Sequence, residues 1–468
     1  MNPLWLALAC AHTPEAPVLD LSQAPAVPAA PDYTPPTPTE HQLSNGITVW
    51  VVERPGLPLI SLRMVFPGGS AADPKGAWGT SSLADEMLNQ GAGELDATSF
   101  ARAVEQLALG LDVNTTDSST VVYLDSQTKT LDAGLSLLSD MVLRPRFEQG
   151  DLDRVKEIRV GQLTEATDDA KTVAGWVMDR EYFGADHPLS HPVGGTLRSI
   201  DDINLDHIKT SWASRIVSDH ASIVVSGDVQ TTDLLTKLET RFGDWKPAGT
   251  SLLPVSAPPL HQGEGRFFFV NKVGTSQTAL QVMMPAPKGD DPNAEPAELG
   301  AIVLGGTFTS RLNRKLREEK GYTYGARASY SGKPNYGYLW ARTNVQREVS
   351  APALVELIAQ LNGYQDGIDD VELGKARSAW QTRAVESMES RAAIAGSFAS
   401  LTVYGLPATT LSDELNRAKA ATIQTVGEAI GHSKMDNAIV VVVGDLEKIQ
   451  ADIEAAVPAD WSVVTITE

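Results

Sequence analysis

Cysteine is almost missing from this chain: among 468 residues only Cys10 is one. No internal disulfide can form, so the fold must rest on its apolar core, and the redox compartment stays undecided. Long apolar runs are missing as well, and with none of eighteen residues no segment can cross a bilayer as a helix. Basic charge is scarce, with 38 Lys and Arg against 59 Asp and Glu and a net of -21. Such a surface repels nucleic acid and bare anionic membrane and would draw in basic peptides. A G-x-S-x-G elbow, a Walker loop and a dinucleotide fingerprint are all absent, which removes the usual competing enzyme classes. Histidine is sparse too: His12, His41, His187, His191, His207, His220, His261 and His432 are all there is, and only His187 and His191 have ligand-like spacing. Pro188 disfavours a helix at His187, so this pair reads as loop rather than metal site.

What remains suits a large globular protein, since 42% hydrophobic content over 468 residues allows two to four domains with sizeable cores. The chain is also duplicated. DHASIVVSGDV begins at Asp219 and DNAIVVVVGDL at Asp436, and their Gly-Asp turns at Gly227 and Gly444 lie 217 positions apart. MVFP at 64 to 67 and VMMP at 282 to 285 repeat at nearly the same offset, 218, and two such pairs in register point to repeated domains. Val, Ile and Leu concentrate at 47 to 53, 58 to 66, 120 to 126 and 221 to 227, predicting strands. Helical spacing predicts helices at 79 to 90, 97 to 109, 129 to 143, 148 to 166 and 231 to 242. Further helices are expected near 292 to 304, 309 to 319, 349 to 362 and 370 to 390. The Pro- and Gly-rich stretch around 248 to 264 separates a first domain, 40 to 247, from a second, 265 to 468.

Within GGTFTSRLNRKLREEKGYTYG at 305 to 325, Leu312, Leu316 and Arg317 follow helical spacing, Gly321 suits a left-handed helix end, and Tyr322, Thr323 and Tyr324 favour a strand. Arg317 and Tyr324 can then converge. A guanidinium with five donors beside a phenol hydroxyl can hold a peptide carbonyl, and one such donor is worth roughly 3 kcal/mol when aimed at a developing oxyanion.

The string SRLNRKLREEKGYTYG resembles the Arg/Tyr segment in the second half of insulinase-family (pitrilysin and mitochondrial-processing-peptidase-like) zinc peptidases. LSNGITVWVVE at 43 to 53, GGSAADPKGAWGTSSLADEML at 68 to 88, HPVGGTLRSID at 191 to 201 and VVSGDV at 224 to 229 extend the resemblance over roughly residues 40 to 468. It implies an α+β fold of two homologous mixed α/β domains, each an antiparallel-rich sheet with helices on one face. It also implies that Arg317 and Tyr324 bind substrate backbone opposite a zinc. Active members carry H-x-x-E-H, in which two histidines on one helical face hold the metal and the glutamate activates its water. Here the motif reads Ser82-Leu83-Ala84-Asp85-Glu86, so Ser82 and Glu86 replace the histidines and Asp85 the base. By alignment of DLDRVKEIRVGQL the third ligand position falls on Gln162. Three good ligands are needed, and Ser82 and Gln162 are poor ones. No metal is expected in this chain, and Asp85 and Glu86 read as a solvated helix face.

Cys10 follows the short apolar run LWLALA and precedes a segment rich in proline, which resembles a bacterial lipoprotein leader although no Lys or Arg precedes the run. Residues 1 to 39 would then be a removable leader, an acylated Cys10 and a semi-rigid spacer, placing the protein in the periplasm or on its membrane through that anchor alone. The alternative is a cytoplasmic protein with a disordered tail. The leading functional expectation is a subunit that is inactive alone and positions peptides for a homologous, H-x-x-E-H-bearing partner carrying the zinc, as a heterodimer. The alternatives are a catalytically silent scaffold of the same fold and an independent enzyme with an unusual site at Asp85 and Glu86.

Overall fold

SIVVSG at 222 to 227 and IVVVVG at 439 to 444 are rich in Val and Ile without strict alternation, and each becomes a central strand buried on both faces of its sheet. The computed structural model describes residues 33–249, 265–458 and 461–466. Cys10, the leader-like run and most of the expected linker therefore lie outside the described residues.

The first sheet contains β1 (Thr39–Gln42), β2 (Thr48–Glu53) and β3 (Leu59–Pro67), followed after a small hairpin, β4 (Gly91–Ala92) and β5 (Leu95–Asp96), by β6 (Gly110–Thr115), β7 (Ser119–Gln127) and β8 (Ser222–Gly227). Its order is β1-β2-β8-β3-β7-β6. The second sheet contains β9 (Arg266–Asn271), β10 (Gln277–Pro285), β11 (Ala326–Lys333), β12 (Tyr336–Gln346), β13 (Ile439–Gly444) and β14 (Ser462–Ile466), in the order β11-β12-β10-β13-β9-β14. In each, the central strand pairs parallel on one side and antiparallel on the other, β8 with β2 and β3, β13 with β9 and β10. Even the register repeats, with Met64 opposite Ile223 and Val282 opposite Val440.

In the first half, helices α1 (Thr80–Met87), α2 (Ala97–Gln106), α3 (Leu131–Leu143), α4 (Gln149–Asp168), α5 (Ala170–Phe183), α6 (Leu197–Asp202), α7 (Leu205–Arg215) and α8 (Thr231–Phe242) follow. In the second, α9 (Ala294–Ala301), α10 (Ser350–Tyr364), α11 (Asp370–Glu386), α12 (Arg391–Val403), α13 (Thr410–Ala420), α14 (Ile423–Ile430) and α15 (Leu446–Glu454) are their counterparts. Most helices cover one face of their own sheet and build one core per half.

Two helices do something the sequence does not announce. α5 leaves the first half and packs on β10 and β13, while α12 leaves the second and packs on β3 and β8. Ala174, Met178, Tyr182 and Phe183 of α5 form a third core with Phe268, Met283, Val441 and Val443. In the reverse direction Phe398 of α12 meets Trp50 edge-on at 6.1 Å. This exchange covers the second face of each sheet, and it explains why the central strands are buried almost throughout whereas β6, at an edge, alternates.

Candidate functional site

The chain enters α1 through Gly79, whose φ of 93° is left-handed and where a Cβ would stand 2.8 Å from the Gly194 carbonyl oxygen. At Gly195, with φ 82°, a Cβ would lie 2.3 Å from the Trp78 carbonyl oxygen. Glycine at both places lets the loop after His191 lie against the start of α1. Asp73 holds that start by accepting from the Gly79 amide at 2.7 Å and the Ser81 amide at 2.8 Å. Burial pushes the Asp73 carboxyl up, against the pull of the hydrogen bonds from Ser81 and Gly79. His191 stacks on Trp78 with ring centroids 4.0 Å apart, and burial lowers its pKa. The Nδ1 atom of His187 accepts from the Leu189 amide at 3.1 Å, so both histidines shape this loop.

From α1 the two acidic side chains go separate ways. Asp85 is buried, forming an ion pair with Arg215 at 2.7 Å and accepting from the Thr115 hydroxyl at 2.7 Å and from that of Thr120. Glu86 accepts from Arg159 Nη2 at 2.7 Å. The same guanidinium donates to Ser82 Oγ at 3.0 Å, to the Gly194 carbonyl at 3.1 Å and to Gln162 Oε1 at 3.2 Å. Arg159 therefore touches Ser82, Glu86 and Gln162, the three residues that the sequence resemblance sets at ligand positions. One guanidinium thus ties α1, α4 and the Gly194 loop together. The expectation of a solvated carboxylate face is corrected here, because two arginines from distant helices turn both acids into structural partners.

The donor set does not fit a catalytic zinc. Ser82 and Gln162 are neutral, Glu86 is committed to Arg159, and among the described residues no group of three His, Cys, Asp or Glu side chains is placed to hold a metal.

The second half carries a different feature in the corresponding region. Helix α9 continues into a π-helical segment, Ile302–Gly306, and a second, Asn313–Glu319, carries Arg317. Such wide turns re-aim side chains and recur at functional sites. Arg317 and Tyr324 line one cleft of about 530 Å³ together with Phe308, Trp340 and three further arginines, Arg327, Arg342 and Arg383. The Arg317 guanidinium lies 4.2 Å from the centre of the Phe308 ring, and Tyr324 is 89% exposed. The strand expected at Tyr322 to Tyr324 does not form, since β11 begins only at Ala326. Side chains hold this segment instead: Thr323 donates to the Asn344 carbonyl at 2.7 Å, and Asn313 accepts from the Ala326 amide at 2.9 Å. Gly321, at φ 64°, takes the left-handed role expected of it.

Residues 49–179 match the family Insulinase (Peptidase family M16), and residues 202–379 match the Peptidase M16 inactive domain. The chain belongs to the insulinase (M16) family. Its two halves are M16-type domains, the first holding α1 and α4, the second holding the cleft. Over 342 residues it is 26% identical to the non-peptidase homolog YmxG of Helicobacter pylori, covering 72% of this chain and 78% of that one. It is 25% identical over 223 residues to the mitochondrial-processing peptidase subunit beta of Lentinula edodes, covering 47% and 46%. A peptidase M16 inactive domain from Pseudomonas fluorescens superposes with a TM-score of 0.80 at 25% identity, covering 87% of this chain and 98% of that one.

Within this M16 chain, sequence reasoning missed Arg159, Arg215 and the three additional cleft arginines. A signal for Arg159 was present: it precedes Gln162 by three residues, close to one helical turn, and so shares its face of α4.

Proposed function

We propose that this chain is the peptide-gripping, non-metal subunit of a two-chain M16 peptidase whose homologous partner supplies the zinc, its ligands and the general base. One observation carries the reading. Arg317 and Tyr324 remain together in an open cleft while the metal position of the same chain is filled by Arg159. In this role Arg317 and Tyr324 donate to the carbonyl oxygens of an extended peptide and hold its backbone toward the partner. Export, with anchorage through an acylated Cys10, is part of the same proposal.

The test is to mix the purified chain with an H-x-x-E-H-bearing homologue encoded beside it and follow a quenched peptide. Arg317→Ala or Tyr324→Phe should lower turnover by about a hundredfold, the scale of one lost oxyanion donor. Unchanged turnover in both variants would overturn the role, and a stable complex that cleaves nothing would favour a silent scaffold.

A further inference from the structure

The cleft carries an excess of positive charge that gripping a neutral backbone does not require. Arg317, Arg327, Arg342 and Arg383 all line it, and no Asp or Glu is among its lining residues. The nearest acid to Arg317 is Glu318, 3.4 Å from its Nε. Arg383 donates to the Gly306 carbonyl at 2.5 Å and lies within electrostatic reach of Glu298, whereas Arg342 stacks on Trp340 at 4.3 Å. Arg327 and Arg342 stand directly opposite each other on β11 and β12. Like charges in that position repel, and burial together with Arg327 holds the Arg342 guanidinium below its usual range. A chain with a net charge of -21 has thus gathered four cations in one cleft and left two of them, Arg327 and Arg342, outside every ion pair among the described residues.

We propose that the cleft selects acidic peptides, seating Asp or Glu side chains of the bound segment between Arg327 and Arg342 while Arg317 and Tyr324 hold the backbone. This rests on the gripping role above and names its substrate class. A carboxylate between two facing guanidiniums relieves their repulsion and gains charge-assisted hydrogen bonds, with Arg suited to the planar acceptor. Phe308 and Trp340, each already under a guanidinium, keep the arginine planes oriented. The chain's overall charge draws in basic peptides from a distance, whereas this cleft sets a local and opposite preference.

The experiment measures fluorescence anisotropy of labelled peptides binding to the full chain without partner or zinc. Four peptides of equal length carry a central Glu-Glu, Gln-Gln or Lys-Lys with an amidated end, or Gln-Gln with a free carboxyl end. The Glu-Glu peptide should bind at least about tenfold tighter than the Gln-Gln peptide at low salt, and the advantage should shrink as salt rises. Arg327→Gln should remove about tenfold of that affinity while leaving Gln-Gln binding in place. Arg342→Gln should act alike, with a thermal melt to check its fold; Arg327 is exposed, so its variant stands independently. Equal binding of Glu-Glu, Gln-Gln and Lys-Lys peptides would overturn the acidic preference and leave the grip intact. An advantage confined to the free carboxyl end would overturn it in favour of terminus recognition. Failure of every peptide to bind would instead remove the gripping role itself.

Discussion

In the first half of the molecule two arginines reach α1 and meet two carboxylates there; in the second half four arginines line a cleft that has no Asp or Glu in its lining. The first arrangement is closed. Asp85 and Arg215 have side chains only 2% and 5% exposed, and Arg159 spends its donors on Ser82, Glu86, Gln162 and Gly194. The second is open, with Tyr324 in solvent and Arg327 exposed. Both halves are M16-type domains, so the difference sets a charge-satisfied, structural site in one against an open cleft in the other, the cleft to which the proposed function assigns the peptide.

The sharpest way to break the contrast is to unpair the closed site. Arg215→Ala leaves Asp85 buried without its cation, and the expected loss is about 3 to 5 kcal/mol of stability, read from urea unfolding. Arg317→Ala in the open cleft should cost little stability by the same measurement, because its partners, the Phe308 ring and the Glu318 carboxylate, are both exposed. If the two losses were equal, the division between structure and ligand site would fail.

A second, smaller effect sharpens the account of Arg159. Ser82→His, Glu86→His and Gln162→Glu together restore a zinc donor set, yet the guanidinium still stands among them. Adding Arg159→Ala to this triple variant should raise zinc affinity by at least about tenfold, measured by equilibrium dialysis, a scale typical of groups that act on metal ligands from outside. Equal zinc binding with and without Arg159 would show that the arginine is incidental.

The smallest effect concerns acids that remain buried in the second half. Burial, with Glu295 and Glu298 nearby and Arg417 opposing them, pushes the Glu414 carboxyl up to about 7. Its raised folded value means that the native chain keeps a proton the unfolded chain releases, so this group favours the fold at low pH and its contribution is lost as pH rises toward 7. Glu414→Gln should therefore be more stable than the parent at pH 8, on the order of 1 to 2 kcal/mol, with the difference shrinking toward pH 4. A constant difference across that range would contradict the assignment.

Much of this fold could be read from the chain, because β-branched runs and a repeated Gly-Asp turn are local signals. The helix at 231 to 242 and the strand at 58 to 66 lie where their spacing places them, to within a residue. Tyr322 to Tyr324 shows the limit of propensity: aromatic and β-branched residues favour a strand, but a hydrogen bond from Thr323 to Asn344 and one from the Ala326 amide to Asn313 fix an irregular segment there. The exchange of α5 and α12 was hidden for a different reason. Ala174, Met178 and Tyr182 form a visible apolar stripe, yet a stripe does not say which sheet it covers. At the closed site, the neutral character of Ser82 and Gln162 was legible. The arginine that joins them was not, since Arg159 meets Ser82 across 77 residues of chain.

The contrast between a closed first site and an open second one is tested most directly by a photoreactive peptide bound to the chain and mapped by mass spectrometry. Adducts should fall on residues 305 to 329 and on the Trp340 to Arg342 stretch that line the cleft. Adducts concentrated on α1 or around Arg159 would contradict it.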